Sequence, residues 1–238
     1  MIFLRGDLHA GQAGELKYLN KEIHPELYYC TKQDYLIILG DFGFIWGNKR
    51  NPRELKELYD FKFKYPWTTL FLPGNHENYD RLYSDEFEEI EMFGDKVKVI
   101  YDDVYMLQYG RCYTIEGKTF FVVPGAESID KEYRIENVSW WKQEQMNYSQ
   151  WREVFDKAEE LKSVDYILAH DIPESVFYYL ISDPTFGTLK KISSTSKGLQ
   201  SLIEKLEYKQ GFSGHYHVDK HFPDMKWEIL YNGITQLT

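Results

Sequence analysis

Cysteine is nearly absent: the 238-residue chain has two, Cys30 and Cys112. They form neither a disulfide framework nor a paired zinc-ligand spacing, which predicts a reducing compartment. No apolar stretch approaches the ~18 residues needed to span a bilayer, so no membrane partner is expected. No signal peptide is predicted, because the first apolar run, residues 1–4, meets Arg5 and Asp7 at once. A cytoplasmic protein is the expectation. Basic excess is missing too: 28 Lys and Arg against 38 Asp and Glu give a net charge of −10. Coating long nucleic acid requires a basic face, so that partner is not expected. There is no low-complexity tract, Gly/Ser linker or internal repeat, and one domain over 1–238 is expected. What the chain has in quantity is apolar and aromatic residues, 43% and 17%. That is ample for a sizeable core and excludes intrinsic disorder.

The dominant pattern is a short apolar run that ends in Gly, Asp, Asn or His. Residues 2–4 run into Arg5-Gly6-Asp7, and 35–39 into Gly40-Asp41. Residues 69–72 run into Pro73-Gly74-Asn75-His76, and 120–123 into Pro124-Gly125. Residues 166–169 run into His170-Asp171, and 211–213 into Gly214-His215. Such runs read as strands buried on both faces. Helical spacing is predicted over 15–27, 52–65, 145–161, 173–181 and 197–206, with Asn51 as N-cap of the second. Residues 97–100, 104–108, 112–115 and 119–123 read as consecutive strands with a hairpin turn at Glu116-Gly117, and 226–231 as a last strand. Front βαβ units followed by a run of strands predict a layered α/β domain with two sheets.

Five of the seven histidines, His9, His76, His170, His215 and His217, sit at predicted strand ends. Ligand sites of α/β sheets lie outside the carboxyl ends of strands, so these residues are placed to meet Asp7, Asp41 and Asn75. In Asp7-Leu8-His9 and His215-Tyr216-His217, residues i and i+2 of an extended segment point the same way and can grip one divalent ion. Asp41 between glycines offers two oxygens that can bridge two ions. Asn75 offers a neutral amide oxygen, and His76 a titratable nitrogen beside it. Each piece alone has an ordinary reading: a turn Asp, a capping Asp, a satisfied core His. His221 reads as a loop residue.

The ordered set Asp-x-His, Gly-Asp, Gly-Asn-His-Glu, a lone strand-end His and Gly-His-x-His resembles the calcineurin-like metallophosphoesterases, over residues 2–217. The resemblance implies a four-layer αββα sandwich of two mixed β-sheets flanked by helices, with a binuclear metal site at the strand ends. It implies one ion held by Asp7, His9, Asp41 and His217, the other by Asp41, Asn75, His170 and His215, and His76 as a catalytic histidine outside the metal shell. Two divalent ions, Mn²⁺ first and Fe or Zn²⁺ as alternatives, suit such N/O ligands. The implied reaction is hydrolysis of a phosphomonoester or phosphodiester by a metal-bridging hydroxide. No protein nucleophile is needed, in keeping with the lack of a Gly-x-Ser-x-Gly elbow. A catalytically silent scaffold and a phosphodiesterase or nuclease for nucleotides or short oligonucleotides are the alternatives.

The chain departs from the protein Ser/Thr phosphatase branch, and from the diadenosine-tetraphosphate branch that shares its motifs. In that branch the second motif continues into Asp-Arg-Gly, whereas here Phe42-Gly43-Phe44-Ile45-Trp46 follows Gly40-Asp41, and Pro73 precedes Gly74 where Arg is usual. Arg81 reads as an exposed helix residue. Residues 127–141 leave a strand end and can reach the metal rim, where Asp130, Lys131, Arg134 and Trp141 are candidates for choosing a small phosphate-ester substrate. In that reading Arg134 grips phosphate and Trp141 stacks on a base. The alternative is a surface excursion whose tryptophans pack on the core.

Overall fold

The structure is a computed structural model that describes residues 1–11, 14–186 and 191–237. The first sheet holds β1 (Ile2–Arg5), β2 (Tyr35–Leu39), β3 (Thr68–Leu72), β4 (Glu89–Met92), β5 (Asp95–Tyr101), β6 (Val104–Leu107) and β13 (Thr235–Leu237), in the order 13-1-2-3-6-5-4. The second holds β7 (Cys112–Ile115), β8 (Lys118–Val123), β9 (Ser163–Ala169), β10 (Glu207–Ser213), β11 (Lys220–Phe222) and β12 (Trp227–Ile229), in the order 11-12-10-9-8-7. Both are parallel at the centre and antiparallel at the margins: β1, β2, β3 and β6 run together, as do β8, β9, β10 and β12.

Side-chain alternation makes the layers. In β1, Ile2 and Leu4 face the space between the sheets, whereas Phe3 faces outward. In β8, Phe120 and Val122 face inward, whereas Phe121 and Val123 face outward. Both faces of each central strand are therefore apolar, which is why these strands read as continuous hydrophobic runs. The outer faces are covered by α1 (Pro52–Lys64) on the first sheet and by α3 (Tyr148–Leu161), α4 (Glu174–Ile181) and α5 (Ser194–Ile203) on the second. The short α2 is Tyr79–Leu82. The result is the expected sandwich of two mixed sheets flanked by helices.

Local signals explain where the helices begin. The Asn51 side chain accepts from the Glu54 N–H, with Pro52 at the first helical position of α1. Asn147 and Gln150 form a reciprocal capping box, so α3 begins at Tyr148 and not at 145. Ser193 caps α5, which begins at Ser194, three residues before the predicted start. The Glu116-Gly117 turn is present, both residues at positive φ (50° and 74°).

Several expectations are corrected. Residues 15–27 form no continuous helix but short 3-10 turns at Glu15–Lys17 and Pro25–Tyr29. Asn20 is the reason: its side-chain oxygen accepts from the Glu22 and Ile23 N–H groups, an alternative to helical pairing. His221 lies on β11 and not in a loop. Arg81 is buried, 5% exposed. Its guanidinium forms a fork on Glu54 (2.6 and 2.8 Å) and another on Glu86 (2.8 and 2.5 Å), joining α1 to the segment after α2.

That fork yields a stability prediction. Glu54 is itself buried, so Arg81→Ala leaves a carboxylate without its counter-charge. The expected loss is about 3–5 kcal/mol, read from urea unfolding followed by circular dichroism. A loss under about 1 kcal/mol, the range of exposed ion pairs, would contradict the burial.

Candidate metal centre

Five strands end on one edge of the sandwich, and the turns that leave them carry the candidate metal ligands and His76. β1 delivers Asp7 and His9, β2 Asp41, β3 Asn75 and His76, β9 His170, and β10 His215 and His217. The turns are stitched to one another. The Leu8 and His9 N–H groups donate to the Asp41 carbonyl (3.0 and 2.7 Å). The His215 N–H donates to the Asp7 carboxylate (2.9 Å), and the His76 N–H to Asp41 Oδ1 (2.7 Å). His9, Asp41, His215 and His217 all hold positive φ (47°, 49°, 70° and 51°), a left-handed conformation that collects at functional sites. Close approach also dictates two glycines. A Cβ on Gly40 would lie 2.0 Å from His170 Nδ1, and one on Gly74 2.1 Å from Asp41 Oδ1.

Within this frame the donor atoms converge. Ligand atoms of Asp7, Asp41 and His170 lie within 4.8 Å of one another, as do those of Asp7, His9 and His217, and those of His9, Asp41 and His76. His170 Nδ1 donates to the Leu39 carbonyl (2.7 Å), which aims Nε2 at Asp41 Oδ1 (3.3 Å) and Asn75 Oδ1 (3.0 Å). His9 Nε2 and His217 Nε2 face each other at 3.1 Å. The His215 ring packs on His170, centroids 5.0 Å apart.

The electrostatics identify what the cluster accommodates. Asp7 and Asp41 are buried, and among the described residues neither pairs with Lys or Arg. Burial, opposed by His170 and reinforced by Asp41, raises Asp7 to about 7. Burial would raise Asp41 too, but His170 outweighs it and holds that carboxyl well below its usual range. Burial would lower His170, yet Asp41 and Asp7 prevail and raise it to about 10. His215 and His76, buried beside other imidazoles, fall to about 3 and about 4. The set thus comprises two buried carboxyl groups, the His170 imidazolium, further imidazole nitrogens and one amide oxygen. Hard or borderline divalent cations take such donors, and the residues fit them.

Around His76 stand residues from elsewhere. Trp46 stacks on its ring (centroids 5.8 Å, 22°) and His9 meets it edge-on (4.9 Å, 90°). Arg134 Nη2 donates to His76 Nε2 (3.1 Å), while Arg134 Nε binds Asp130 Oδ1 (2.8 Å). The excursion over 127–141 therefore reaches the rim, with Asp130 and Arg134 at the cluster. Trp141 does not line it. Its ring is 1% exposed, edge-on to Trp46, and its N–H donates to Asp80 Oδ2 (3.0 Å). A base has no face of Trp141 to stack on, and the core-packing alternative describes this residue.

Two residues that sequence reasoning passed over settle the Asn75 amide. Asn75 Nδ2 donates to Ser128 Oγ (3.2 Å), which leaves Oδ1 turned to the cluster. Ser128 is fixed in turn by Glu144, which accepts from its hydroxyl and its N–H (both 2.7 Å). A serine just past the Pro124-Gly125 strand end was the available signal; nothing local marks Glu144. Glu77 is a third support: Oε1 accepts from the Gly43 N–H (3.2 Å) and braces the turn carrying Asp41. Beside the cluster opens a cavity of about 760 Å³, walled by His76, Arg134, Lys131, Phe186, Lys191 and Tyr216 among others.

A sequence profile of the calcineurin-like phosphoesterases matches residues 2–219. No curated protein matches the chain. Among solved structures, a phosphopantetheinyl hydrolase from Mycobacterium tuberculosis is similar at 16% identity and a TM-score of 0.43, over 97% of this chain and 89% of that one.

The Ser128 contact is testable through metal retention. Ser128→Ala frees the Asn75 amide to rotate, and Mn²⁺ affinity measured by calorimetry is expected to fall about 10–100-fold. Thermal unfolding of the metal-stripped chain is the control. An unchanged Mn²⁺ affinity would mean that the amide orientation is immaterial.

Proposed function

Because this chain belongs to the calcineurin-like phosphoesterase family, we propose that it is a metal-dependent hydrolase of a phosphomonoester or phosphodiester. The observation that carries this reading is the convergence of Asp7, His9, Asp41, Asn75, His170, His215 and His217 on one edge, with His76 and Arg134 beside them. In the proposed assignment Asp7, His9, Asp41 and His217 hold one divalent ion. Asp41, Asn75, His170 and His215 hold the other, so that Asp41 is shared. Mn²⁺ is the proposed native ion, with Fe or Zn²⁺ compatible with the same donors. When bound, such a pair neutralises phosphoryl charge and lowers the pKa of water.

The chain's own residues have distinct parts. His170 is oriented through Nδ1 by the Leu39 carbonyl, so its ring cannot turn away from the ions. Asn75 is oriented by Ser128 in the same way. Arg134 is the phosphate grip, offering a planar N–H fork that suits two phosphoryl oxygens. It supplies the guanidinium that Phe42 and Pro73 do not. His76 is the proton donor to the leaving oxygen. Burial keeps its pKa low and Arg134 adds to the effect, and a phosphoryl group that draws the guanidinium away frees Nε2 to hold the proton it then delivers. Trp46 and His9 clamp the ring and limit its freedom to swing.

The test is Mn²⁺-dependent hydrolysis of p-nitrophenyl phosphate and bis-p-nitrophenyl phosphate side by side. Turnover of one ester, abolished by chelator, is expected. His76→Ala is expected to lower kcat by about 10²–10⁴-fold. Arg134→Ala is expected to raise KM about tenfold or more at unchanged metal content, the scale of a lost charge-assisted hydrogen bond. A chain that binds two ions and turns over neither ester, nor any ester in a broad phosphate panel, would favour the scaffold alternative.

A further inference from the structure

Two groups of different chemistry line the cavity beside the cluster. One is the metal edge, with His76 and Arg134. In the other, Lys131 and Lys191 both place an ammonium on the same oxygen, Oε1 of Glu127. The two lysines come from separate segments of the chain. Lys131 lies on the excursion that follows β8, and Lys191 on the segment that enters α5. Glu127 is largely buried, its side chain 11% exposed, and burial pushes its carboxyl up. The two amines outweigh burial and hold it below the usual carboxylate range.

Immediately around Glu127 the local balance is positive. One carboxylate faces two ammonium groups. The other acidic groups lining the cavity are engaged or solvated. Asp130 is taken by Arg134 (2.8 Å), and Asp171 by the Ser193 and Tyr216 hydroxyls (2.5 and 2.9 Å). Glu132 is exposed and makes no ion pair among the described residues. Apolar surface also faces the cavity, from Phe186, Phe177 and the exposed Ile129. A volume of about 760 Å³ is far more than one phosphoryl group requires and lies within the range of small-molecule sites.

We propose that Lys131 and Lys191 form a subsite for a second phosphate, so that the substrate is a phosphate ester whose alcohol half carries another phosphate across an apolar or aromatic body. This rests on the phosphoesterase reading and adds the class of ester. A phosphate monoester carries close to two negative charges at neutral pH, enough to draw on both amines where Glu127 offers one. The body between the two phosphates lies against Phe186 and Ile129. Because the amines belong to separate segments, a phosphate held between them also ties those segments together.

Adenosine 3′,5′-bisphosphate and adenosine 5′-monophosphate differ only in the second phosphate, and they are the probes. Their binding is compared by ligand-observed NMR on the metal-stripped full chain, where no turnover occurs. The bisphosphate is expected to bind about tenfold more tightly, the size of effect that two charge-assisted contacts at a partly exposed site provide. In Lys131→Gln/Lys191→Gln that ratio is expected to fall to within about twofold, whereas Lys157→Gln/Lys209→Gln, which removes two charges away from the cavity, keeps it. A parent ratio near one, a ratio that survives the first pair, or a loss equal in both pairs would each overturn the subsite. Failure of the phosphoesterase reading shows separately, as absent p-nitrophenyl phosphate turnover by the Mn²⁺-loaded chain.

Discussion

Asp7 and Asp41 are buried carboxylates whose oxygens lie within 4.8 Å of each other. Two negative charges at that range repel by about 3–4 kcal/mol even at an effective dielectric of about 20. The chain meets them with backbone N–H groups from His76 and His215 and with one imidazolium, and with no Lys or Arg among the described residues. Much of the edge architecture follows from bringing them together. Gly74 has no side chain because Asp41 occupies that space, and Gly40 has none because His170 does. Four residues of the turns hold positive φ so that side chains of different strands can converge. A divalent cation held by these donors would answer the repulsion, which is why the donor set and the fold are one problem.

The segment after β8 joins that centre to the adjacent cavity. Its start, Ser128, orients the Asn75 amide; its middle, Arg134, meets His76; its end, Glu144, turns back to hold Ser128. Trp141 fastens it to the core through burial and the bond to Asp80. Deleting a buried tryptophan side chain costs about 3–5 kcal/mol, enough to anchor an otherwise exposed excursion. Ile129, Tyr133 and Ile135 remain outside that anchor, 80%, 92% and 67% exposed.

The strand-end cluster was legible because each of its members follows a short apolar run, and the end of a parallel strand is where an α/β sheet offers a site. The central strands were legible for the same reason, being apolar on both faces. β4, β11 and β13 were not: they are short, antiparallel marginal strands, and Glu89–Met92 and Lys220–Phe222 mix charged with apolar residues. Helix caps at Asn51 could be read locally, whereas the broken stretch after Glu15 could not, since its leucine spacing is helical and the Asn20 turn overrides it. Arg81 was misread because one of its two carboxylates lies 27 positions away along the chain. Ser128 and Glu144 escaped notice for a related reason. Their role exists only once Asn75 is placed beside them.

The excursion also couples two properties that could have been separate. Arg134 and Lys131 sit six and three residues from Ser128, on the excursion that Glu144 closes. The atoms proposed to face a substrate therefore share a segment with the atom that fixes a proposed metal ligand. A guanidinium at the usual arginine places, beside Asp41 or before Gly74, would grip phosphate from the strand-end turns themselves. Here it arrives on an appended segment, with Asp130 as its resident partner. Changes in this segment can alter which ester is held without remodelling the turns that hold Asp7 and Asp41, provided that Ser128 stays in place. That condition follows from the hydrogen-bond chain Asn75–Ser128–Glu144, in which the middle hydroxyl accepts from one neighbour and donates to the other, so that a shift of Ser128 breaks both bonds.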